Sequence, residues 1–279
     1  MVRASTVRLL TRRVSLPGSY LRRALASIDA AIEYPKQPVV VTAQGGRLRF
    51  LIEDFHEYIQ RNIYFMGYHE FRETRIVKKL LREGDTFVDV GANIGWFTVL
   101  AASMVKGQGS VVAFEPSTSI HEQLRANVEL NGLTNVTLER VALSNQNGVA
   151  VLSGISQENA GTGTILASTK VGEKVSVACF DDYHASHSLG RIQVMKIDVE
   201  GAEMMVLEGA KDTLRTGQIE NIVVEVSDER LRSTGSSSAA LAEMLREFGY
   251  RLFRATNTGL EPVDHGEHIG FVNLVAQRA

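Results

Sequence analysis

The chain has 279 residues, 44% hydrophobic and 22% charged, with 30 basic side chains against 32 acidic ones. That composition supports a buried core and excludes a disordered polyelectrolyte or a collagen-like repeat, and the balanced charge argues against a general nucleic-acid binder. The single cysteine, Cys179, excludes an intrachain disulfide framework and a multi-cysteine zinc site, which points to a reducing, cytoplasmic setting.

Residues 1–40 hold seven basic side chains (Arg3, Arg8, Arg12, Arg13, Arg22, Arg23, Lys36) and two acidic ones (Asp29, Glu33). This stretch is therefore +5, leaving −7 for the rest of a chain whose net charge is −2. Leu9 and Leu10 are followed at once by Thr11, Arg12 and Arg13, so the apolar run of a secretory signal is missing. No run approaches the ~18 apolar residues that cross a bilayer, the best candidate being the short stretch 97–105. The arm reads as a solvated chain end, with contact to an anionic membrane surface through Leu9, Leu10, Val14 and Leu16 as the alternative.

Segments 39–42 and 47–52 flank Gln44, Gly45 and Gly46 and read as a hairpin. The pattern predicts a helix over 70–82, stopped by Gly84, a strand at 86–90, a helix at 96–104 and a strand at 110–115. Ser119 with Glu122 suits a capping box for a helix carrying Ile120, Leu124 and Val128, closed by Asn131 and Gly132. A third strand follows at 136–141, then an inserted pair of strands within 148–180 around a polar loop at 157–163. Parallel winding resumes with a strand at 192–198, a helix at 202–214, a strand at 222–226 and a helix at 239–248. Strands at 250–255 and 271–276 close the chain. Strands alternating with helices of about ten residues predict a Rossmann-like α/β fold, a mostly parallel sheet with helices on both faces. The division expected is an extension over 1–65 and a main domain over 66–279.

In such sheets ligands lie beyond the carboxyl ends of the strands. The first strand here ends in Asp89-Val90-Gly91-Ala92-Asn93-Ile94-Gly95-Trp96. Gly91 and Gly95 permit a sharp turn close to a ligand, and the helix that follows offers free N–H groups to an anion. The dinucleotide pattern G-x-G-x-x-G laid on Gly91 meets Asn93 and Trp96 where glycines belong, and no G-K-[ST] follows for a P-loop. S-adenosylmethionine fits, because its carboxylate can use the helix N-terminus and it has no pyrophosphate. Glu115, at the end of the second strand, is placed to accept both ribose hydroxyls. A structural turn beside a surface glutamate is the plainer reading.

The segments FVDVGANIGWFTVLAA, VVAFEPS, LNGLTNVTLERVALSNQNG and VMKIDVEGAEMMVLEGA together resemble the FkbM-type S-adenosylmethionine-dependent methyltransferases over roughly residues 68–227. The resemblance implies a class I methyltransferase fold and transfer of a methyl group, usually to oxygen, on sugars, glycolipids or polyketide-type natural products. It carries over Asp89, Gly91, Asn93, Gly95, Glu115 and Ala142 as cofactor contacts, with Ala142 beside the adenine.

Lys196-Ile197-Asp198-Val199-Glu200 is unusual for a central strand, since Lys196, Asp198 and Glu200 fall on one face. Unpaired burial would cost several kcal/mol each, so these charges must pair or lie at the open ligand end of the sheet. One reading is structural: Lys196 pairs with one carboxylate and the other stabilises the helix start near Gly201. The functional reading makes Asp198 the base that removes the acceptor's hydroxyl proton, or its orienting partner, with Glu200 as second choice. Glu225, near the end of the next strand, could face the same crevice, and two carboxylates on adjacent strand ends could hold Mg²⁺. His184, His187, His265 and His268 are weaker rivals for the base. Tyr68, His69 and Glu70 open the helix before the first strand, where Glu70 could close over the cofactor. Trp96 reads as packing. The function expected is O-methylation of a small-molecule or glycolipid hydroxyl, with a non-catalytic S-adenosylmethionine-binding scaffold as the alternative.

Overall fold

A computed structural model of the chain describes residues 2–12, 27–153, 164–165, 172–267 and 269–279. Helix α1 (Ala4–Thr11) precedes the hairpin of β1 (Val39–Ala43) and β2 (Leu48–Ile52), in which Val41 pairs with Phe50. Alternation buries Val41, Ala43, Leu48, Phe50 and Ile52 on one face. Helix α2 (Tyr58–Met66) is capped by the Glu57 carboxylate, which accepts the Ile59 and Gln60 N–H groups at 3.0 and 2.8 Å. Neither α1 nor α2 announces itself in the sequence. The Arg12 guanidinium ties them together by donating to the carbonyls of Thr42, Ile63 and Tyr64.

Helix α3 (Phe71–Leu80) is followed by β3 (Thr86–Val90), α4 (Trp96–Val105), β4 (Ser110–Phe114), α5 (Thr118–Leu130) and β5 (Val136–Glu139). A second, four-stranded sheet holds β6 (Ala142–Leu143), β7 (Gly148–Ser153), β8 (Thr164–Ile165) and β9 (Glu173–Ala178). Then come α6 (Phe180–His187), β10 (Ile192–Ile197), α7 (Glu203–Glu208), α8 (Lys211–Arg215) and β11 (Ile219–Val226). The chain ends with α9 (Asp228–Ser233), α10 (Ser238–Glu247), β12 (Tyr250–Ala255), β13 (Leu260–Pro262) and β14 (Val272–Arg278).

The main sheet runs β13-β12-β14-β11-β10-β3-β4-β5. Its five strands from β11 to β5 are parallel, and β14 inserts antiparallel between β11 and β12. Alternation sends Phe87, Val111, Ala113, Val194 and Val223 into a core shared with the hairpin and α2 to α5. Val88, Val112, Phe114, Met195 and Ile222 enter the opposite core, shared with α6 to α10. This is the Rossmann-like fold with helices on both faces that the periodicity predicts.

Several local expectations change. The helix expected at 202–214 breaks at Gly209, where a Cβ would lie 2.0 Å from the Ser144 carbonyl oxygen, so the backbone passes too close for any side chain. The capping box at Ser119 and Glu122 does not form. The cap of α5 is Ser117, and the Thr118 N–H donates instead to the Glu173 carboxylate of β9 at 3.0 Å. The third strand stops at Glu139, because residues 142–143 leave it to pair with β9. The polar loop expected at 157–163 lies outside the described residues.

Candidate functional site

At the carboxyl end of β3 the backbone turns out of the sheet over residues 91–95. The Gly91 and Ala92 N–H groups donate to the Phe114 carbonyl at 3.0 and 2.9 Å, and the Asp198 N–H donates to the Val90 carbonyl at 3.0 Å. Gly91 has φ +80, and a Cβ there would sit 2.0 Å from the Asp198 carbonyl oxygen. The steric demand at Gly91 thus comes from the chain itself, and it brings the end of β10 against the loop. Asn93 (φ +50) fixes the turn by accepting the Ile94 N–H on Oδ1 at 2.7 Å, and Gly95 (φ +91) caps α4. Asn127 of α5 links the loop to the hairpin: its Nδ2 donates to the Ile94 carbonyl and its Oδ1 accepts the Leu51 N–H, both at 2.8 Å.

Glu115 lies directly beside this turn. Its Oε2 accepts the Asn93 N–H and its Oε1 the Ser117 N–H, both at 3.0 Å. Burial at 6% exposure outweighs these bonds and pushes the carboxyl up to about 7. Asp89, 1% exposed, accepts the Thr98 hydroxyl on Oδ2 at 2.6 Å, while its Oδ1 is buried without a partner. Burial raises Asp89 to about 6.

Lys196 sits across the β3–β10 pairing from Asp89. Its Nζ lies 2.8 Å from Asp198 Oδ2, 3.8 Å from Glu70 Oε2 and 4.6 Å from the centre of the Phe97 ring. Burial opposes the ammonium charge, but Asp198, Glu70 and Asp89 together outweigh it and raise its pKa. Glu70 does not join the helix as expected; it precedes α3 in the left-handed region (φ 42, ψ 68), with Oε1 2.9 Å from His69 Nε2. Burial would raise the Glu70 carboxyl, yet Lys196 and His69 draw it down to about 2. Trp96 is packing, as expected: it stacks on Phe50 and donates from Nε1 to the Thr74 hydroxyl at 2.9 Å.

Arg230 of α9 bridges the remaining carboxylates, ion-paired with Glu200 and 2.8 Å from Glu225 Oε1. Burial, reinforced by Asp198, pushes Glu200 to about 7; the same cause, reinforced by Asp198 and Glu70, pushes Glu225 to about 8. At the two carboxylates expected to hold magnesium, Asp198 pairs with Lys196 and Glu225 with Arg230, so each already faces a cation of its own. Among the described residues no group of three His, Cys, Asp or Glu side chains could hold a metal ion. The turn after β10 is stabilised by neither Asp198 nor Glu200. Glu203 accepts the Gly201 N–H at 2.9 Å and performs that task.

The other predicted residues lie apart. Ala142 is buried in the second sheet, paired with Val177 and packed with Leu152 and Val175. His184 bonds the Gly190 carbonyl, His187 stacks on Tyr183, His265 lies 3.6 Å from Glu243 at the surface, and His268 is outside the described residues. Sequence reasoning missed Arg230 and Thr98. Arg230 follows Asp228 and Glu229 in an ordinary polar helix, with no spacing that ties it to Glu200 or Glu225.

Residues 89–252 match the methyltransferase FkbM domain. The chain is 28% identical over 231 residues to the AMB antimetabolite synthetase AmbE of Pseudomonas aeruginosa, covering 68% of this chain but 11% of that protein. It is 30% identical to the 31-O-demethyl-FK506 methyltransferase FkbM of Streptomyces tacrolimicus, covering 53% of this chain and 67% of the relative. It is 27% identical to the hexuronic acid methyltransferase AglP of Haloferax volcanii, covering 68% and 75% respectively. Among the described residues no helix is long and apolar enough to cross a membrane.

Proposed function

Because the chain belongs to the FkbM-domain methyltransferase family, we propose that it carries the methyl group of S-adenosylmethionine to a hydroxyl oxygen of a sugar, glycolipid or polyketide-type natural product. The observation that carries this reading is the contact between Gly91 and the Asp198 carbonyl, which sets a row of carboxylates beside the glycine loop. Similarity to a 31-O-demethyl-FK506 methyltransferase supports an oxygen acceptor, and similarity to a hexuronic acid methyltransferase supports a sugar-type one.

The residues fit the cofactor. Asp89 Oδ1 lacks a partner, Glu115 retains lone pairs beyond its two N–H bonds, and the loop opens onto the N-terminus of α4. Bound there, the cofactor supplies an electrophilic methyl on a sulfonium. Glu115, oriented by the Asn93 and Ser117 N–H groups, would accept the ribose hydroxyls, whereas Ala142, packed in the second sheet, is given no part in holding the adenine. Asp198, anchored through Oδ2 to Lys196, takes the acceptor's hydroxyl proton or orients the hydroxyl for attack. Glu200 and Glu225, at about 7 and about 8, can take up a proton near neutral pH and serve as its reservoir.

Labelled S-adenosylmethionine incubated with glycolipid and small-molecule extracts, read by mass spectrometry, tests the acceptor class. Asp198→Asn and Glu200→Gln are expected to keep cofactor affinity within a few-fold and to abolish turnover; full activity in both overturns the assignment of the base. On α1, Leu9 and Leu10 are exposed, which supports contact of the basic arm with an anionic membrane where a glycolipid acceptor is met. Loss of liposome co-sedimentation in a Leu9→Ser, Leu10→Ser double variant is expected, and unchanged binding removes that part of the proposal.

A further inference from the structure

One buried ammonium faces three carboxylates where β3, β10 and the turn before α3 meet. Lys196 contacts Asp198 at 2.8 Å and Glu70 at 3.8 Å, and Asp89 lies opposite it across the strand pairing. Alongside, the single guanidinium of Arg230 serves both Glu200 and Glu225. Even with His69 beside Glu70 counted as a second cation, Lys196 and His69 offset only part of the charge of Asp198, Glu70 and Asp89. Two buried atoms are unpartnered there as well: Asp89 Oδ1, in a residue 1% exposed, and His69 Nδ1, in a residue 7% exposed. Glu70 is held against Lys196 and His69 at φ 42, a conformation unfavourable for a residue with a Cβ.

Lys196 also ties this cluster to the cofactor side. Its Nζ lies over the ring of Phe97, in the first turn of α4, next to the 91–95 loop. A cation arriving there completes the neutralisation of the carboxylates in a medium of low dielectric, whereas a neutral group of the same shape gains nothing from them. Methyl transfer makes that change in the cofactor, since the sulfonium loses its charge and becomes a thioether.

We infer that Glu70, together with Asp89 and Asp198, reads the charge of the bound cofactor, so that the surplus carboxylate charge around Lys196 favours the sulfonium donor and releases the thioether product. Glu70 is then a specificity-determining residue for donor over product. This rests on the reading that the donor is S-adenosylmethionine, but not on the identity of the acceptor.

Isothermal titration calorimetry of the full chain and of Glu70→Gln provides the test, with three ligands: S-adenosylmethionine, sinefungin, which carries an amine in place of the sulfonium methyl, and S-adenosylhomocysteine. The variant is expected to weaken the two charged ligands at least about tenfold, the factor that one unit charge exerts from about 12 Å at an effective dielectric of about 20 and exceeds at shorter range, while S-adenosylhomocysteine stays within twofold. Equal losses for all three give Glu70 a purely structural role and overturn the inference, as does no loss for any. If Glu70→Gln does not fold, the unsubstituted protein decides the matter. The inference requires sinefungin to bind several-fold more tightly than S-adenosylhomocysteine, and equal or weaker binding contradicts it. Failure of all three ligands to bind the unsubstituted protein is a separate outcome that overturns the donor reading and the inference together.

Discussion

Replacing Glu115 with glutamine separates what this side chain costs the fold from what it offers a ligand. In the folded chain its carboxyl is raised from 4.5 to about 7, with burial as the largest cause. Such a group is stabilising below its unfolded value, and the contribution is lost as the pH rises through its folded one. At 1.36 kcal/mol per unit, the unsubstituted protein loses about 2–3 kcal/mol between about pH 5 and about pH 8 through this group. Glutamine does not titrate, but its single acceptor oxygen can serve only one of the Asn93 and Ser117 N–H groups. The stranded donor costs about 1–3 kcal/mol at every pH. Urea denaturation should therefore find the variant less stable near about pH 5, with the gap closing by roughly 2 kcal/mol near about pH 8. Asp89, Glu200 and Glu225 titrate in both proteins and cancel in the difference. Parallel pH dependences would refute the reasoning, because they would mean that Glu115 ionises as easily in the fold as in the unfolded chain.

Gly91→Ala, whose Cβ would meet the Asp198 carbonyl at 2.0 Å, should destabilise by several kcal/mol or prevent folding, whereas Gly84→Ala, at φ +89 with nothing within 4 Å, should cost about 1–2 kcal/mol; chemical denaturation of the pair checks the contrast. Thr98→Val removes the one hydroxyl that bonds the buried Asp89 and should destabilise by about 1–3 kcal/mol at neutral pH, with less loss in acid, where the carboxyl is protonated; thermal melts at the two pH values measure this. Arg230→Leu leaves Glu200 and Glu225 without their cation, so their carboxyls should rise further and activity should shift to higher pH, a displacement visible in a pH–rate profile.

The parallel sheet was legible because its strands carry apolar runs bounded by glycine and its helices a clean 3.6-residue period. The loop at 91–95 and the charged end of β10 were legible for a different reason: glycine and buried charge are expensive in those places, so their presence demands an explanation. What escaped depends on contacts distant in sequence. Nothing local marks Gly209 as a break, since the reason lies in the Ser144 carbonyl. The side chain that accepts the free Thr118 N–H at the start of α5 is Glu173, 55 residues further along the chain. Arg230 acquires its meaning only when β11 and α9 fold back over the turn after β10, and the pairing of Asp198 and Glu225 with separate cations could not be read from two carboxylates on neighbouring strands. Glu70 fits the helical period, yet Lys196 and His69 hold it outside the helix.

A crystal structure of the protein with S-adenosylhomocysteine tests the central claim most directly. The account predicts a ligand whose amino-acid end lies over residues 91–95 and whose ribose hydroxyls are within hydrogen-bond distance of Glu115. A ligand seated elsewhere on the molecule, or a ribose turned away from Glu115, would contradict it.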